Sequence, residues 1–321
     1  MTATTITKRN LLFSIAASGF VWLLLSGVCE AAVPTVPRAF VSTTGGDNNP
    51  CSAVQPCRSF NQALTVVQPG GEIVVQDSGG YSTGFTITQS VTIDAGGFNA
   101  SVISTSATNL CTINATEGEA VILRGISFHG ASLGNNAIIA SQGCDLYVEH
   151  CSISEFLGDG IVSIDGQLWV TDTDVRTCGN GIGVQAGALG GTLVVHNSRV
   201  SHCQSGFFIS TTGAGNIVGL ASNCTASLCT IGFAIGSFSS GSADMTLNSC
   251  RSLINGGGLS TTAQSTGNAT TRLIACVVAK NGIGIDTSGG GSGLASVLGT
   301  GPGTSLIQDS GLGLTGFTNL K

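Results

Sequence analysis

The feature that most constrains this chain is an internal repeat of about 25 residues. Segments such as "VEHCSISEF", "VHNSRVSHC" and "LNSCRSLIN" superimpose over seven consecutive units, each with a short apolar strand followed by a small residue. The first aligned column recurs at intervals of 22 to 26 residues: Ile126, Cys151, Thr173, Ser198, Cys224, Cys250 and Cys276. The second column follows five residues later: Ala131, Phe156, Cys178, Cys203, Cys229, Asn255 and Asn281. Most units then return to an apolar strand: Ile138, Ile161, Ile182, Phe207, Phe233 and Ile283. This pattern lacks helical periodicity and predicts a β-solenoid in which each unit forms one coil.

The solenoid geometry explains why the columns hold similar residues. Adjacent coils stack about 4.8 Å apart, and each strand pairs in parallel with its copies above and below. Equivalent side chains therefore lie on one another. For this reason Asn255 and Asn281 are predicted to form a short amide ladder.

Both ends of the repeat carry sequence patterns that differ from the repeating unit. "RSFNQALTVVQPGG" begins with a capping-box pattern, Ser59 and Gln62, and ends at a helix-breaking "PGG". Apolar residues between them have helical spacing: Phe60, Ala63, Leu64 and Val67. A short helix here is expected to cover the open end of the solenoid, where exposed strand edges would invite strand addition. Near the other end, "SLIQDSG" is predicted to be a last degenerate strand.

The segments "CRSFNQALTVVQPGGEIVV", "SVTIDAGG" and "VILRGISFHG" resemble bacterial right-handed parallel β-helix proteins of the pectate-lyase-like superfamily. The resemblance covers roughly residues 40–310. It implies an all-β fold, a single-stranded right-handed parallel β-helix (β-solenoid) with a short N-terminal capping helix. The shared motifs specify a coil and not a reaction, so no catalytic residue follows from the resemblance.

The N-terminus predicts export. Lys8 and Arg9 precede the apolar run "LLFSIAASGFVWLLLSGV", and small residues favour cleavage after Ala31. The alternative is an uncleaved anchor, because the run is about long enough to span a bilayer. We therefore expect a signal peptide over 1–31, an N-terminal segment with the capping helix over 32–71, a β-helix over 72–310 and a tail over 311–321. The expected location is extracellular, on the cell surface or in the periplasm, with no membrane span in the mature chain.

The composition argues against several classes of partner. Only 9% of the residues are charged, against about 25% in a usual globular domain. Removal of residues 1–31 leaves 9 basic and 16 acidic side chains, a net charge of −7, and no basic stretch. This argues against nucleic acid and against a groove for a strongly anionic polymer.

The cysteines fit a structural role better than a metal-binding one. Cys51 and Cys57 flank "SAVQP" and are predicted to form a disulfide in an oxidising compartment. A vertical disulfide within Cys178, Cys203 and Cys229 is also possible in stacked coils. No metal site is predicted, because the chain has no CxxC or HxxxH spacing. In the pairs His150-Cys151 and His202-Cys203, neighbouring strand residues point to opposite faces.

A candidate glycan site comes from strand alternation. Leu146 and Val148 are expected to point inward and Tyr147 outward, next to Trp169 of the following coil. An exposed aromatic pair suits the apolar face of a pyranose. The predicted glycan-binding residues are Tyr147, Trp169, Glu149 and His196. The adjoining outward positions hold Arg124, Thr171, Asp145 and Gln167. The alternative is that a loop or C-terminal segment packs over the rings, beside a surface ion pair of Arg124 with Glu149.

The sequence leaves open whether the protein is an enzyme. A glycoside hydrolase needs two facing carboxylates, and a polysaccharide lyase needs a strong base with Ca²⁺ or further cations. The weak candidates are Glu149, Asp172, Asp174, Arg176 and Arg199. Asp174 is also expected to form a structural ion pair with Arg199. No acidic cluster for Ca²⁺ is evident, so no cofactor is predicted unless the protein is a lyase.

Three functions therefore remain. The first is a non-catalytic surface or secreted protein that contacts a polysaccharide, a cell-surface glycan or another macromolecule through an outer sheet face. The second is a polysaccharide lyase or glycoside hydrolase of the pectate-lyase-like type. The third is a purely structural rod. The sequence identifies neither the ligand nor the oligomeric state.

Overall fold

The computed structural model describes residues 35–264 and 266–287, and the backbone of 288, 292–298 and 306–308. The predicted signal peptide over 1–31 and the predicted tail over 311–321 lie outside the described residues.

Three parallel sheets run along the axis of a β-helix, and each coil contributes one strand to each sheet. Sheet 1 contains Val36–Val41, Val67–Val75, Val91–Asp94, Ala120–Arg124, Asp145–Glu149, Gln167–Thr171, Gly191–His196, Ile217–Ser222, Ser242–Asn248, Asn268–Ile274 and Ser292–Leu298. Sheet 2 contains Gly79–Ser82, Ala100–Ile103, Ile126–His129, Ser152–Ser154, Asp174–Arg176, Arg199–Ser201, Thr225–Ser227, Arg251–Leu253, Val277–Ala279 and Leu306–Gln308. Sheet 3 contains Phe85–Ile87, Cys111–Ile113, Ile138–Ala140, Asp159–Ile164, Asn180–Ala186, Ser205–Thr211, Ile231–Ser237, Gly257–Ala263 and Ile283–Ser288. The predicted all-β parallel solenoid is confirmed, and "SLIQDSG" does contain the strand Leu306–Gln308.

The strand register confirms most of the repeat columns. Every member of the first column is buried, from Ile126 through Cys276. In sheet 3, Ile182 pairs with Phe207, and Phe207 pairs with Phe233. The rings of Phe207 and Phe233 are stacked, with their centroids 5.1 Å apart. The placement of Ile283 in this column was wrong. Phe233 continues to Leu259 and then to Ile285, whereas Ile283 pairs with Gly257 and is exposed. A shift of two residues keeps the strand but moves the predicted member out of the stack.

Left-handed residues make the corner between sheets 1 and 2. These residues have φ values between 49° and 71° and immediately precede the first column: Gly125, His150, Asp172, Asn197, Asn223, Ser249 and Ala275. A second left-handed corner, with φ from 55° to 63°, precedes the second column: Glu155, Thr177, His202, Leu228, Ile254 and Lys280. Such a φ is uncommon for residues other than Gly, Asn and Asp. Each corner therefore turns the chain and returns the next side chain to the interior.

The buried amide ladder is present as predicted. Asn281 Oδ1 accepts hydrogen bonds from Asn255 N at 2.9 Å and from Asn255 Nδ2 at 3.2 Å. Asn255 Oδ1 in turn accepts from Cys229 N at 2.9 Å. Asn255 Nδ2 also donates to Ser252 Oγ at 2.9 Å. The ladder thus gives partners to backbone groups at the second corner that would otherwise be buried without them.

The N-terminal helix spans Phe60–Val66 and is followed directly by a strand. Its N-cap is Ser59, whose side chain accepts a hydrogen bond from Gln62 N, as the capping-box pattern predicts. The buried Phe60 ring lies 5.4 Å from those of Tyr81 and Phe85. The apolar face of the helix therefore packs on the first coil. Sheet 1 begins earlier than the pattern indicated, because Val36–Val41 pairs in parallel with Val67–Val75.

Asp77 fastens the end of the first strand to the first full coil. Its carboxylate accepts hydrogen bonds from Thr43 N at 2.8 Å, Ser42 Oγ at 2.8 Å, Thr43 Oγ1 at 3.0 Å and the Tyr81 hydroxyl. Burial opposes ionisation of this carboxyl, but the hydrogen bonds from Tyr81, Thr43 and Ser42 outweigh it. They lower the pKa of Asp77 from 3.8 to about 2.

Replacing Asn255 tests the amide ladder. Asn255→Ala leaves the buried Cys229 N–H without its acceptor and removes the donors to Ser252 and Asn281. We expect the free energy of unfolding to fall by about 2 kcal/mol or more, measured by urea denaturation. The exposed Asn248 on the outside of sheet 1 is the control. Asn248→Ala is expected to change stability by about 0.5 kcal/mol or less, and equal losses would contradict the ladder's role.

The Asp77 interactions predict a pH dependence of stability. Because the folded-state pKa lies below the unfolded value, the ionised carboxylate stabilises the fold above about pH 4. This contribution disappears as the pH falls from about 4 through 2. Asp77→Asn should lower the melting temperature at pH 7 and flatten its decline below pH 4. Asp174→Asn, at an exposed carboxylate, should leave that decline as in the wild type.

Candidate functional site

Tyr147 and Trp169 form an aromatic stack on the outside of sheet 1. They are register partners on adjacent coils, with ring centroids 4.5 Å apart and an interplanar angle of 5°. The strand around Tyr147 alternates as predicted, since its neighbours Leu146 and Val148 are completely buried. Both rings are half-buried. Because the rings stack on each other, one face of each ring is already in contact with its neighbour.

The stack is the centre of a longer apolar line, here called the apolar ladder. Register partners on successive coils make it up: Ile122, Tyr147, Trp169, Val194 and Leu220. Leu220 is 41% exposed and Val218, on the same strand, is 59% exposed. The sequence reasoning identified the two rings and missed the aliphatic members. The same register would have shown them, because each lies at the equivalent strand position.

A polar row runs along one side of the ladder. Its register partners are Asp94, Arg124, Glu149, Thr171, His196 and Ser222. Arg124 contacts Glu149 Oε2 through Nε at 2.8 Å and Asp94 Oδ2 through Nη1 at 3.1 Å. The hydrogen bond to Glu149 raises the pKa of Arg124 above its usual value. The expected Arg124–Glu149 pair is thus present, and it leaves the guanidinium shared between two carboxylates.

A groove runs along the other side of the ladder, where sheet 3 turns into sheet 1. It has a volume of about 640 Å³. We call it the glycine groove. Its lining comprises Glu117, Gly118, Gly143, Asp145, Asp165, Gly166, Gln167, Leu189, Gly190, Gly191, Thr192, Asn216 and Val218. At Gly190, φ is +92° and a Cβ would lie 2.5 Å from the Asn216 carbonyl oxygen. Gly190 is therefore required by its left-handed φ and by the close approach of the Asn216 backbone, whereas a Cβ at Gly118 would meet no atom within 4 Å.

Asp165 organises the corner of this groove. Its Oδ1 accepts hydrogen bonds from Gly187 N at 2.7 Å and from Gly190 N at 3.3 Å. Asp145 lies two residues before Tyr147 on the same outward face. The sequence reasoning placed Asp145 beside the aromatic pair but did not identify the groove, because the repeated glycines give no side-chain pattern to follow.

The candidate catalytic residues do not form one cluster. Glu149 lies on the outer face of sheet 1 and is paired with Arg124. Asp172 lies at the corner, where it accepts a hydrogen bond from Asn197 Nδ2 and approaches His150 Nε2 at 3.5 Å. Asp174, Arg176 and Arg199 lie on sheet 2. These candidates therefore lie on two faces of the coil, because the left-handed corner separates sheet 1 from sheet 2.

The expected ion pair of Asp174 with Arg199 is also absent. The two residues are register partners, but their charged atoms do not approach within 4.0 Å. Both side chains are exposed, so hydration competes with pairing and the Coulomb gain is small. Register alone did not suffice to predict this contact.

Cysteines of the described residues are buried. Cys51 and Cys57 form a disulfide with a Cα–Cα distance of 4.6 Å. The other described cysteines carry reduced thiols in the interior: Cys111, Cys144, Cys151, Cys178, Cys203, Cys224, Cys229, Cys250 and Cys276. Burial raises the pKa of Cys144 to about 11 and that of Cys151 to about 12. Each thiol of the second column hydrogen-bonds to the carbonyl oxygen two residues before it, at 3.3 to 3.4 Å, and the vertical disulfide that stacking allows does not form: Cys178, Cys203 and Cys229.

Among the described residues, no group of three or more His, Cys, Asp or Glu side chains is placed to share a metal ion. No helix in this part of the chain has the length and apolar character needed to cross a membrane.

Comparison with known proteins identifies the type of coil. The family described as "Right handed beta helix region" matches residues 70–221. Among solved structures, pectate lyase Pel9A is similar with a TM-score of 0.54 and 14% identity, over 90% of this chain and 73% of that chain. A rhamnogalacturonan lyase is similar with a TM-score of 0.42 and 10% identity, over 85% of each chain. A search of curated protein sequences gives no significant match. The right-handed parallel β-helix predicted from the sequence is thereby confirmed.

The buried thiols predict strong protection from alkylation. Native protein treated with a maleimide at pH 8 should leave all nine thiols from Cys111 to Cys276 unmodified, because they are buried. Addition of denaturant without reductant should expose all nine, which peptide mass mapping would count. If two of Cys178, Cys203 and Cys229 stay unmodified in denaturant, those two cysteines form a vertical disulfide.

Proposed function

We propose that this chain, a right-handed parallel β-helix with a pectate-lyase-like fold, is an exported, non-catalytic protein that binds a glycan on the outside of sheet 1. The observation that carries the proposal is the Tyr147–Trp169 stack at 4.5 Å, set in an apolar ladder with polar groups on both sides. An apolar line bordered by hydrogen-bonding groups has the two components that sugar recognition requires.

The face-to-face stack specifies how a sugar would meet the surface. One face of each ring packs on the other ring, so a pyranose contacts the outward side of the stack and the neighbouring Ile122 and Val194. Its hydroxyl groups then reach the polar row on one side and Asp145 or Gln167 on the other. This arrangement fits a chain laid across several coils better than a single sugar stacked on one ring.

The positions of the carboxylates favour binding over hydrolysis. Asp145 and Glu149 flank the stack but are four residues apart on one strand, which places their Cα atoms about 13 Å apart. The carboxyl groups of glycoside hydrolases are separated by about 5 to 9.5 Å. Glu149 is also occupied by Arg124 at 2.8 Å. A lyase or hydrolase remains the alternative, and its products would be detected directly.

Export is supported by the basic N-terminus, the apolar run and the cleavage pattern at Ala31. The Cys51–Cys57 disulfide also suits an oxidising compartment. We propose an extracellular, cell-surface or periplasmic location. A carbohydrate surface is available to a protein in each of these places.

Removing the Trp169 ring tests the proposal. In isothermal titration or affinity electrophoresis against a polysaccharide panel, Trp169→Ala should weaken binding at least tenfold, about 1.4 kcal/mol, because the outer contact surface is lost. Phe238→Ala is the matched control, since Phe238 is a 44% exposed aromatic residue outside the ladder. Circular dichroism and thermal melting check that both variants fold.

The same panel separates the three functions. Binding that depends on Trp169 without new reducing ends or unsaturated products supports the proposal. Product formation by the wild type would establish the enzyme instead. If the protein binds none of the polymers, the structural rod is the function that remains.

A further inference from the structure

We propose that the glycan lies along the glycine groove beside the apolar ladder and carries no acidic groups, so that polyuronates are excluded. This inference rests on the proposed function and names the substrate class of the same site. It departs from the substrate that the name pectate lyase indicates for the structural neighbour.

The groove and the ladder form one continuous surface. Asp145, Gln167, Thr192 and Val218 are register partners on four successive coils. Each lies two residues before a member of the ladder, on the same outward face of the strand. With coils about 4.8 Å apart, the lining from Glu117 to Val218 extends about 19 Å along the axis. A linear polymer parallel to the axis would therefore contact both the groove and the rings.

The charges on this surface have one predominant sign. Five carboxylates border the ladder and the groove: Asp94, Glu117, Asp145, Glu149 and Asp165. The guanidinium of Arg124 is held by Asp94 and Glu149. The described lining of the groove contains no Lys or Arg. A polymer with a carboxylate on each sugar would meet like charges along the groove, with no cation to offset them.

The hydrogen-bonding groups of the groove suit hydroxyl groups. An ionised carboxylate only accepts hydrogen bonds, and a sugar hydroxyl can donate them. Glu117 and Asp145 form no ion pair with any described residue, so their oxygens are available to such donors. Gln167, Thr192 and Asn216 add groups that both donate and accept. The lining can thus form hydrogen bonds with the hydroxyl groups of uncharged sugars. A protonated amine on a sugar would also be attracted to the carboxylates.

The test compares polymers with and without acidic groups. Purified protein is titrated with cello-oligosaccharides, galactan, chitosan oligomers and polygalacturonate at about 0.05 M and 1 M salt, with EDTA or with CaCl₂. We expect Trp169-dependent binding to at least one of the first three and none to polygalacturonate. The double variant Glu117→Gln/Asp145→Asn should show measurable binding of polygalacturonate at about 0.05 M salt, because two of the repelling charges are removed. Its affinity for the uncharged polymers should not rise, because an amide oxygen accepts hydrogen bonds from sugar hydroxyl groups more weakly than a carboxylate oxygen does.

Asp244→Asn is the matched control. Asp244 is the register partner of Val218 and occupies the same outward row as Asp145, beyond the end of the groove. The substitution removes one negative charge from that row, against two in the double variant, and should leave polygalacturonate binding as in the wild type. An equal gain in Asp244→Asn would overturn the assignment to the groove.

The outcomes distinguish this inference from the proposed function. Wild-type binding of polygalacturonate that depends on Trp169, with EDTA or with Ca²⁺ as a bridging ion, would overturn the exclusion of polyuronates and retain the glycan site. If no polymer binds in a Trp169-dependent way, the glycan site itself is wrong. Binding restricted to the uncharged and amine-bearing polymers, with the expected gain in the double variant, supports both.

Discussion

The structure depends on parallel backbone pairing in which each residue lies on its equivalent in the next coil. Such pairing places like side chains in columns about 4.8 Å apart, inside and outside the coil. Inside, it produces stacked phenylalanines, thiols and the Asn255–Asn281 ladder. Outside, the same register brings Tyr147 onto Trp169 and Arg124 between Asp94 and Glu149. A group of like side chains on the outer surface of this protein therefore extends along the axis over several coils.

The left-handed corners determine which columns belong to a common surface. His150 and Cys151 are adjacent in sequence, yet His150 at the corner is exposed and Cys151 after it is buried. Likewise, Glu149 precedes the corner at His150 and faces out of sheet 1, whereas Ser152 follows the same corner and belongs to sheet 2. Residues that are close in sequence can thus belong to different faces, and a site must be assembled within one sheet or its adjoining corner.

The sequence predicted what repeats and missed what depends on side-chain conformation or empty space. Burial of Cys151 and the contact of Tyr147 with Trp169 follow from period and alternation alone. The error at Ile283 arose because a shift of two residues preserves alternation. The pair Asp174–Arg199 failed because exposed charged side chains are not fixed by register. The glycine groove was not found because its shape depends on the path of the corners between sheets 3 and 1, which the repeat pattern does not give.

The same reasoning explains how a fold shared with a lyase need not carry the lyase's chemistry. Interior columns determine whether the chain forms a coil, and they restrict only side chains that point inward. Outward residues are free of that requirement, so their charge and aromatic character can vary without changing the coil. Here the outward rows beside the stack combine apolar groups with an excess of carboxylates over cations. At the proposed site, a surface of this kind would attract molecules through hydroxyl groups and apolar contact and would repel polyanions, whatever the ancestry of the coil beneath it.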